Sequence, residues 1–170
     1  AIEADGRAEF SMRAQDQGSG ISHIECTLDG QTKKCATNTM YDQLLGGRHN
    51  FEARAVDKAG NYSDPVDYQW LIDPLPPVVS ITQGPEEWTN ESSSEFEFSA
   101  TDAESQVVKV ECQVNGSNYV ECQDTFTTSN LGEGSHTFSV RATDEAGNTS
   151  QPVEHTWNID TTAPSLNWVK

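Results

Sequence analysis

The sequence predicts an all-β chain of two tandem antiparallel β-sandwich domains. Three observations lead there. The stretch Gly134 to Asn148, GSHTFSVRATDEAGN, repeats Gly47 to Asn61, GRHNFEARAVDKAGN, with nine identities at an offset of 87 and no gap. Apolar residues alternate with polar ones along short segments, and turn signals recur every 8–12 residues or so without a helical period. At 170 residues and 34% apolar content the chain admits one domain or two small ones. The repeat decides for two of roughly 85 residues each. The boundaries predicted are 1–74 for the first repeat, 75–162 for the second, and 163–170 as the start of a following repeat or a donor strand.

Taken in order, Phe10, Met12 and Ala14 alternate into a first strand, and Asp16 to Gly20 is a loop. Ile24, Cys26 and Leu28 form a second strand ending at Asp29-Gly30, a dipeptide suited to a two-residue hairpin turn. Strict register there places Cys26 opposite Lys33, so a bulge or bend is expected to return Cys35 to its partner. His49, Phe51, Ala53 and Ala55 face inward on the next strand, and Val66, Tyr68, Trp70 and Ile72 share one face of the last. The turn Asp57 to Asn61 joins them, Gly60 supplying the permissive backbone. Asp73-Pro-Leu-Pro-Pro is a stiff, extended linker.

The second repeat opens with Val78 to Ile81 and an acidic, serine-rich loop, Glu86 to Ser94. Its strands then follow the first: Phe96, Phe98 and Ala100; Val108, Val110, Cys112 and Val114; His136, Phe138, Val140 and Ala142; Val153, His155, Trp157 and Ile159. Thr137, Ser139, Arg141 and Thr143 point outward. Trp70 and Trp157, in the same frame, read as core rather than ligand platform, and His49 and His136 as structural histidines.

The cysteines fall as Cys26 with Cys35 and Cys112 with Cys122, one pair per repeat, and local pairing is the simplest of three connectivities. Zinc and thioredoxin-like chemistry favour closer thiols, so disulfides in an oxidising, extracellular compartment are expected. The net charge of −17, from 27 acidic and 10 basic residues, argues against nucleic acid and anionic membranes and favours divalent cations. No apolar run reaches the roughly 20 residues of a membrane span. Ala1 begins no recognisable signal peptide, so the chain reads as mature or excised.

Together these residues carry a resemblance. Cys-x-x-Asp/Asn-Gly followed by Cys, then Gly-x-His-x-Phe-x-x-Arg-Ala-x-Asp-x-Ala-Gly-Asn, then Trp-x-Ile-Asp, resembles the bacterial Ig-like repeats of large secreted surface proteins and adhesins. The resemblance implies tandem seven-stranded Ig-like sandwiches used as a stalk or spacer of a cell-surface fibre, often with calcium stiffening the joints. Partners implied are neighbouring repeats or identical subunits, and a host-cell or surface ligand. The first repeat departs from the pattern by lacking its first strand.

Sandwich topology places the loop holding Asp102, the loop opened by Asp144, and the linker opened by Asp73 at one end. Their carboxylates are candidate Ca2+ ligands, with Glu104 and Asn148 as additional ones. Asx turns in solvated loops explain the same residues without a metal. The equivalents Asp16, Asp57 and Asp160 would need a further linker or module.

Enzyme chemistry is not expected: there is no phosphate loop, no His-Glu-x-x-His and no nucleophile elbow. Ser135 and His136 are strand neighbours whose side chains point to opposite faces. Two other non-catalytic readings stand beside the stalk. Asn61, Asn90, Asn115 and Asn148 each head a glycosylation sequon of a eukaryotic surface module, and Trp88, Tyr119 and Trp168 are candidate contacts to a glycan or receptor. The ends add a third. Ala163 to Val169 resembles Pro77 to Gln83 starting over, which fits a piece of a longer array or a strand donated to the next subunit in a filament.

Overall fold

The structure, a computed structural model, describes residues 2–3 and 5–168. Every element among them is a β-strand, and the chain divides into two compact units, Ala1–Leu75 and Pro76–Lys170.

The second unit contains β8 (Val78–Gln83), β9 (Trp88–Thr89), β10 (Ser94–Thr101), β11 (Val107–Val114), β12 (Val120–Glu121), β13 (Thr125–Thr128), β14 (Gly134–Asp144) and β15 (Val153–Ile159). One sheet runs β13-β10-β8 and the other β12-β11-β14-β15-β9. Their inner faces close on one core, in which Val79, Phe96 and Phe98 meet Cys112, Phe138, Val140, Ala142, Trp157 and Ile159. This is a β-sandwich, and the period-two alternation of the sequence is what supplies an apolar face to each sheet. Ser139, expected to face outward to solvent, is buried because Tyr119 lies over it, hydroxyl to hydroxyl at 3.0 Å.

The first unit contains β1 (Ile2–Glu3), β2 (Ala8–Ser11), β3 (Ile21–Leu28), β4 (Gln31–Cys35), β5 (Asn38–Tyr41), β6 (Gly47–Asp57) and β7 (Val66–Ile72). Its larger sheet, β1-β7-β6-β3-β4, repeats that of the second unit, but the smaller one is only β2-β5. β1 is the counterpart of β9: each pairs in parallel with the last strand of its unit. Trp88–Thr89, expected as loop, is therefore a short strand. No described strand corresponds to β8.

That difference reshapes the neighbouring residues. In the second unit β10 continues to Thr101 because β8 pairs with it as far as Thr101↔Val78. β2 ends at Ser11, so Met12 and Ala14, expected within a strand, lie just beyond it. Val66 and Tyr68, expected inward, are 65% and 47% exposed. Their counterparts Val153 and His155 are half-buried, and His155 bonds the Pro85 carbonyl that follows β8.

Both hairpins turn on a two-residue loop with positive φ at each residue, Asp29 and Gly30 in one and Asn115 and Gly116 in the other, which matches strand twist. The disulfides Cys26–Cys35 and Cys112–Cys122 close across them. The expected bulge is not there. Cys26 faces Lys33 and Cys35 faces Ile24 in regular register, so the bond runs diagonally across the ladder. A Cα separation of 5.9 Å permits this without distortion of the strands.

Candidate metal centre

Three loop-proximal carboxylates are positioned by strand ends. Asp73 follows β7 directly, Asp102 follows β10, and Asp144 is the last residue of β14. Each is held by local hydrogen bonds. Asp73 Oδ1 accepts the Leu75 N–H at 3.2 Å. Asp102 Oδ1 accepts the Glu104 and Ser105 N–H groups, both at 2.9 Å. Asp144 accepts the Asn148 N–H at 2.8 Å and its side-chain amide at 2.9 Å, across a turn that needs Gly147 at φ 92°. These are the Asx turns that the sequence suggested.

The Asx turns do not account for the burial. Asp73 and Asp144 are 0% and 1% exposed, and within the second unit a carboxylate oxygen of Asp102 lies within 4.8 Å of one of Asp144. Buried charges are ordinarily paired or bound to metal, and like charges this close raise one another's energy. Oxygens within 4.8 Å of one another can all reach a cation at roughly 2.3–2.6 Å, the spacing of calcium coordination. Glu104 is exposed and outside this group. Asn148 donates its amide nitrogen to Asp144, so only its Oδ1 can act as a ligand. The repeat counterparts differ: Asp16 and Asp160 are exposed and Asp57 is half-buried. Asp57 nonetheless forms the same turn, with the Asn61 N–H and amide at 2.8 and 2.7 Å. Among the described residues, no second group of three metal-ligating side chains occurs.

The remaining singled-out residues serve the fold. Trp70 and Trp157 are core. His49 donates from Nε2 to the Leu45 carbonyl and from Nδ1 to the Asp29 carboxylate, at 2.8 and 2.7 Å. Burial alone would lower its pKa; the Leu45 carbonyl and the Asp29 carboxylate outweigh that and raise it. His136 donates from Nε2 to the Gly132 carbonyl and accepts the Asn115 amide at Nδ1. Tyr119 is not an open contact surface, since the Arg141 guanidinium stacks on its ring at 4.0 Å. Arg141 also pairs with buried Glu111, whose other partner is Lys109 at 2.6 Å. Lys109 first, and Arg141 with it, hold the Glu111 carboxyl below its ordinary value despite burial. Sequence reasoning missed this group; the shared Arg54 and Arg141 frame was its one signal, Arg54 pairing with Glu25. Trp88 and Trp168 are exposed.

Comparison with known proteins gives a match for the second unit. Residues 80–161 match the model of the bacterial Ig-like domain. No curated protein sequence matches the chain. Among solved structures, the chain is similar to the Clostridium thermocellum CbhA fibronectin(III)-like modules, at 18% identity over 99% of this chain and 94% of that one, with a TM-score of 0.47. It is also similar to the D00-D0 domain of intimin, at 12% identity over 90% and 93% of the two chains, with a TM-score of 0.39. Residues 80–161, which contain one complete copy of the repeated frame, are thus similar to the bacterial Ig-like domain.

Proposed function

We propose that the chain is a pair of tandem Ig-like domains serving as a non-catalytic stalk or spacer of an extracellular surface protein, with calcium bound by Asp73, Asp102 and Asp144. The observation that carries the reading is the burial of Asp144 beside Asp102 at strand ends of the second unit. Such a site fits a fixed cation better than a turning-over substrate. One disulfide in each unit suits an oxidising exterior, and the duplicated frame makes each unit a repeated building block. Calcium bound to Asp73 would hold the Asp73–Pro77 connection to the loops that carry Asp102 and Asp144, turning a hinge into a rod.

Calorimetric titration with Ca2+ of the chelator-treated chain tests this directly. One site per chain is expected, and Asp144→Asn should weaken it by about tenfold or more, because ligand charge sets calcium affinity. Small-angle scattering should show a narrower distribution of shapes with calcium than with chelator. Absence of saturable binding overturns the metal, and unchanged scattering on saturation overturns the stiffening.

A further inference from the structure

The hairpin turns of the two units carry the same side-chain bracket with one atom exchanged. Asp29 Oδ1 accepts the Asn50 N–H at 2.9 Å, and Asn115 Oδ1 accepts the Thr137 N–H at 3.0 Å. His49 and His136 each give Nε2 to the carbonyl four residues earlier, Leu45 or Gly132, at 2.8 Å. Nδ1 of each ring then faces the second atom of the turn side chain, Asp29 Oδ2 at 2.7 Å in the first unit and Asn115 Nδ2 at 2.9 Å in the second. Exchanging that amide nitrogen for oxygen would turn the second bracket into the first.

The sequence supplies the chemistry for the exchange. Of all the asparagines in the chain, only Asn115 is followed by glycine. Without a β-carbon on the next residue, the Gly116 backbone nitrogen can approach the Asn115 side-chain carbonyl carbon. Elsewhere bulkier residues follow. Asn61 and Asn148 precede Tyr62 and Thr149 and hold their amides against Asp57 and Asp144. Asn167, in the sequence-predicted donor strand whose Val169 and Lys170 lie outside the described residues, precedes Trp168. Water reaches the turn freely: Asn115, Gly116, Ser117 and Asn118 are all exposed, and nothing beyond the adjacent residues lies within 4 Å of the place a Gly116 Cβ would take.

We infer that Asn115 is a self-modifying site, at which the Gly116 nitrogen displaces the side-chain amide and water then leaves a carboxylate facing His136. The Gly116 nitrogen bonds to Asn115 Cγ and the Cγ–Nδ2 bond breaks. Gly116 gives up its amide proton, and Nδ2 gains one as it departs as ammonia. Water then opens the cyclic imide and restores the Gly116 N–H, so the net change is one water consumed and one ammonia released. Cleavage of the new N–Cγ bond gives an ordinary aspartyl residue, whereas cleavage of the original peptide bond leaves an isoaspartyl link with an extra carbon in the main chain. The two-residue turn, with positive φ at both positions, takes the first product unchanged and not the second.

The fold restrains the first step and favours the aspartyl product. Thr137 and His136 hold both side-chain atoms of Asn115 against β14, and the Cys112–Cys122 disulfide spans the hairpin, so reaction waits on local opening of the turn. The aspartyl side chain regains both contacts, with His136 donating from Nδ1 as His49 does. A charge-assisted pair then replaces a neutral one. No proposed calcium ligand takes part.

Incubation of the intact, disulfide-bonded chain at mildly alkaline pH, followed by peptide mapping at isotopic mass resolution, tests the site. Asn115 should convert before any other asparagine, and about tenfold or more slowly than in guanidinium, because opening of the turn precedes reaction. His136→Leu, in a chain that keeps exchange protection at Phe138 and Val140, should speed conversion when folded and leave the guanidinium rate unchanged. Gly116→Ala should slow conversion in guanidinium, where folding plays no part. In Asn115→Asp, nitrogen NMR should find both ring nitrogens of His136 protonated at a pH where those of His49 are. Another asparagine converting first, or an inert Asn115 in the folded chain while the guanidinium sample goes to completion, overturns the site. Equal rates in the two states, or a folded His136→Leu chain no faster than wild type, overturn the restraint. A His136 that keeps a bare Nδ1 in Asn115→Asp overturns the pairing.

Discussion

The two units are built from one sequence pattern, yet the second buries what the first leaves open. Phe96 is fully enclosed by Phe138, Trp157 and the Gly84 backbone, whereas its counterpart Phe10 is half-buried at the rim of an open groove. Trp157 and Trp70 are alike in burial, and so are the paired disulfides. What separates the units is one edge strand, β8, and the residues that it would cover. The lesson is that the repeated frame specifies the larger sheet nearly unaided, while the smaller sheet depends on a strand that the frame does not include.

The largest expected effect follows from that burial. Phe96→Ala should cost the second unit about 3–5 kcal/mol, as for a fully enclosed aromatic, and Phe10→Ala should cost the first about half as much. Chemical denaturation with residue-level exchange in β6 and β14 separates the two transitions. Equal losses would break the comparison. Next, Cys112→Ser with Cys122→Ser should cost about 2–3 kcal/mol, and Cys26→Ser with Cys35→Ser a similar amount, because the closed loops are nearly the same length. The same loss should unfold more of the first unit, whose smaller core leaves less reserve, and this is read by the denaturant midpoint of each unit.

The smallest effect is the pH dependence that the His49–Asp29 pair adds to the first unit. His49 is held above its ordinary pKa, so its contribution is complete below an unfolded histidine's value of about 6.5 and is lost as pH rises through the folded value. Asp29 moves the other way. Burial would raise it, but the Asn50 N–H and then His49 outweigh that and lower it. Its contribution is present above the unfolded carboxyl range and is lost as pH falls through the lowered folded value. The first unit should therefore lose stability both toward alkaline and toward strongly acid pH. Asp29→Asn reproduces the Asn115–His136 arrangement of the second unit and should flatten this profile, as measured by thermal melts across pH.

Much of this was legible in the sequence. Period-two alternation and the duplicated frame identified the sandwich of the second unit, its core tryptophan and its turns. Asp73, Asp102 and Asp144 were legible as strand-end positions, since each directly follows or closes an alternating segment. The misses share a cause: they depend on pairing partners rather than on a segment's own pattern. Trp88–Thr89 is too short for alternation to reveal, and only parallel pairing with β15 makes it a strand. Met12 and Val66 have inward-facing patterns, but no described strand covers them. The diagonal disulfide escapes a reading by directly opposed residues, because its cysteines are offset by two positions along the ladder. Tyr119 read as a contact surface because a single sequence does not show Arg141 arriving from the adjacent strand.

The parallel pairing of a two-residue strand with the last strand of each unit has a consequence for a chain under tension. β9 and β15 run the same way, as do β1 and β7. Pulling the two ends of a unit apart therefore drags these neighbours in opposite directions along their common axis. Their hydrogen bonds are then loaded together in shear, not opened one at a time like a zipper. Two residues of strand, easily overlooked in the sequence, thus act as a latch against force applied from end to end.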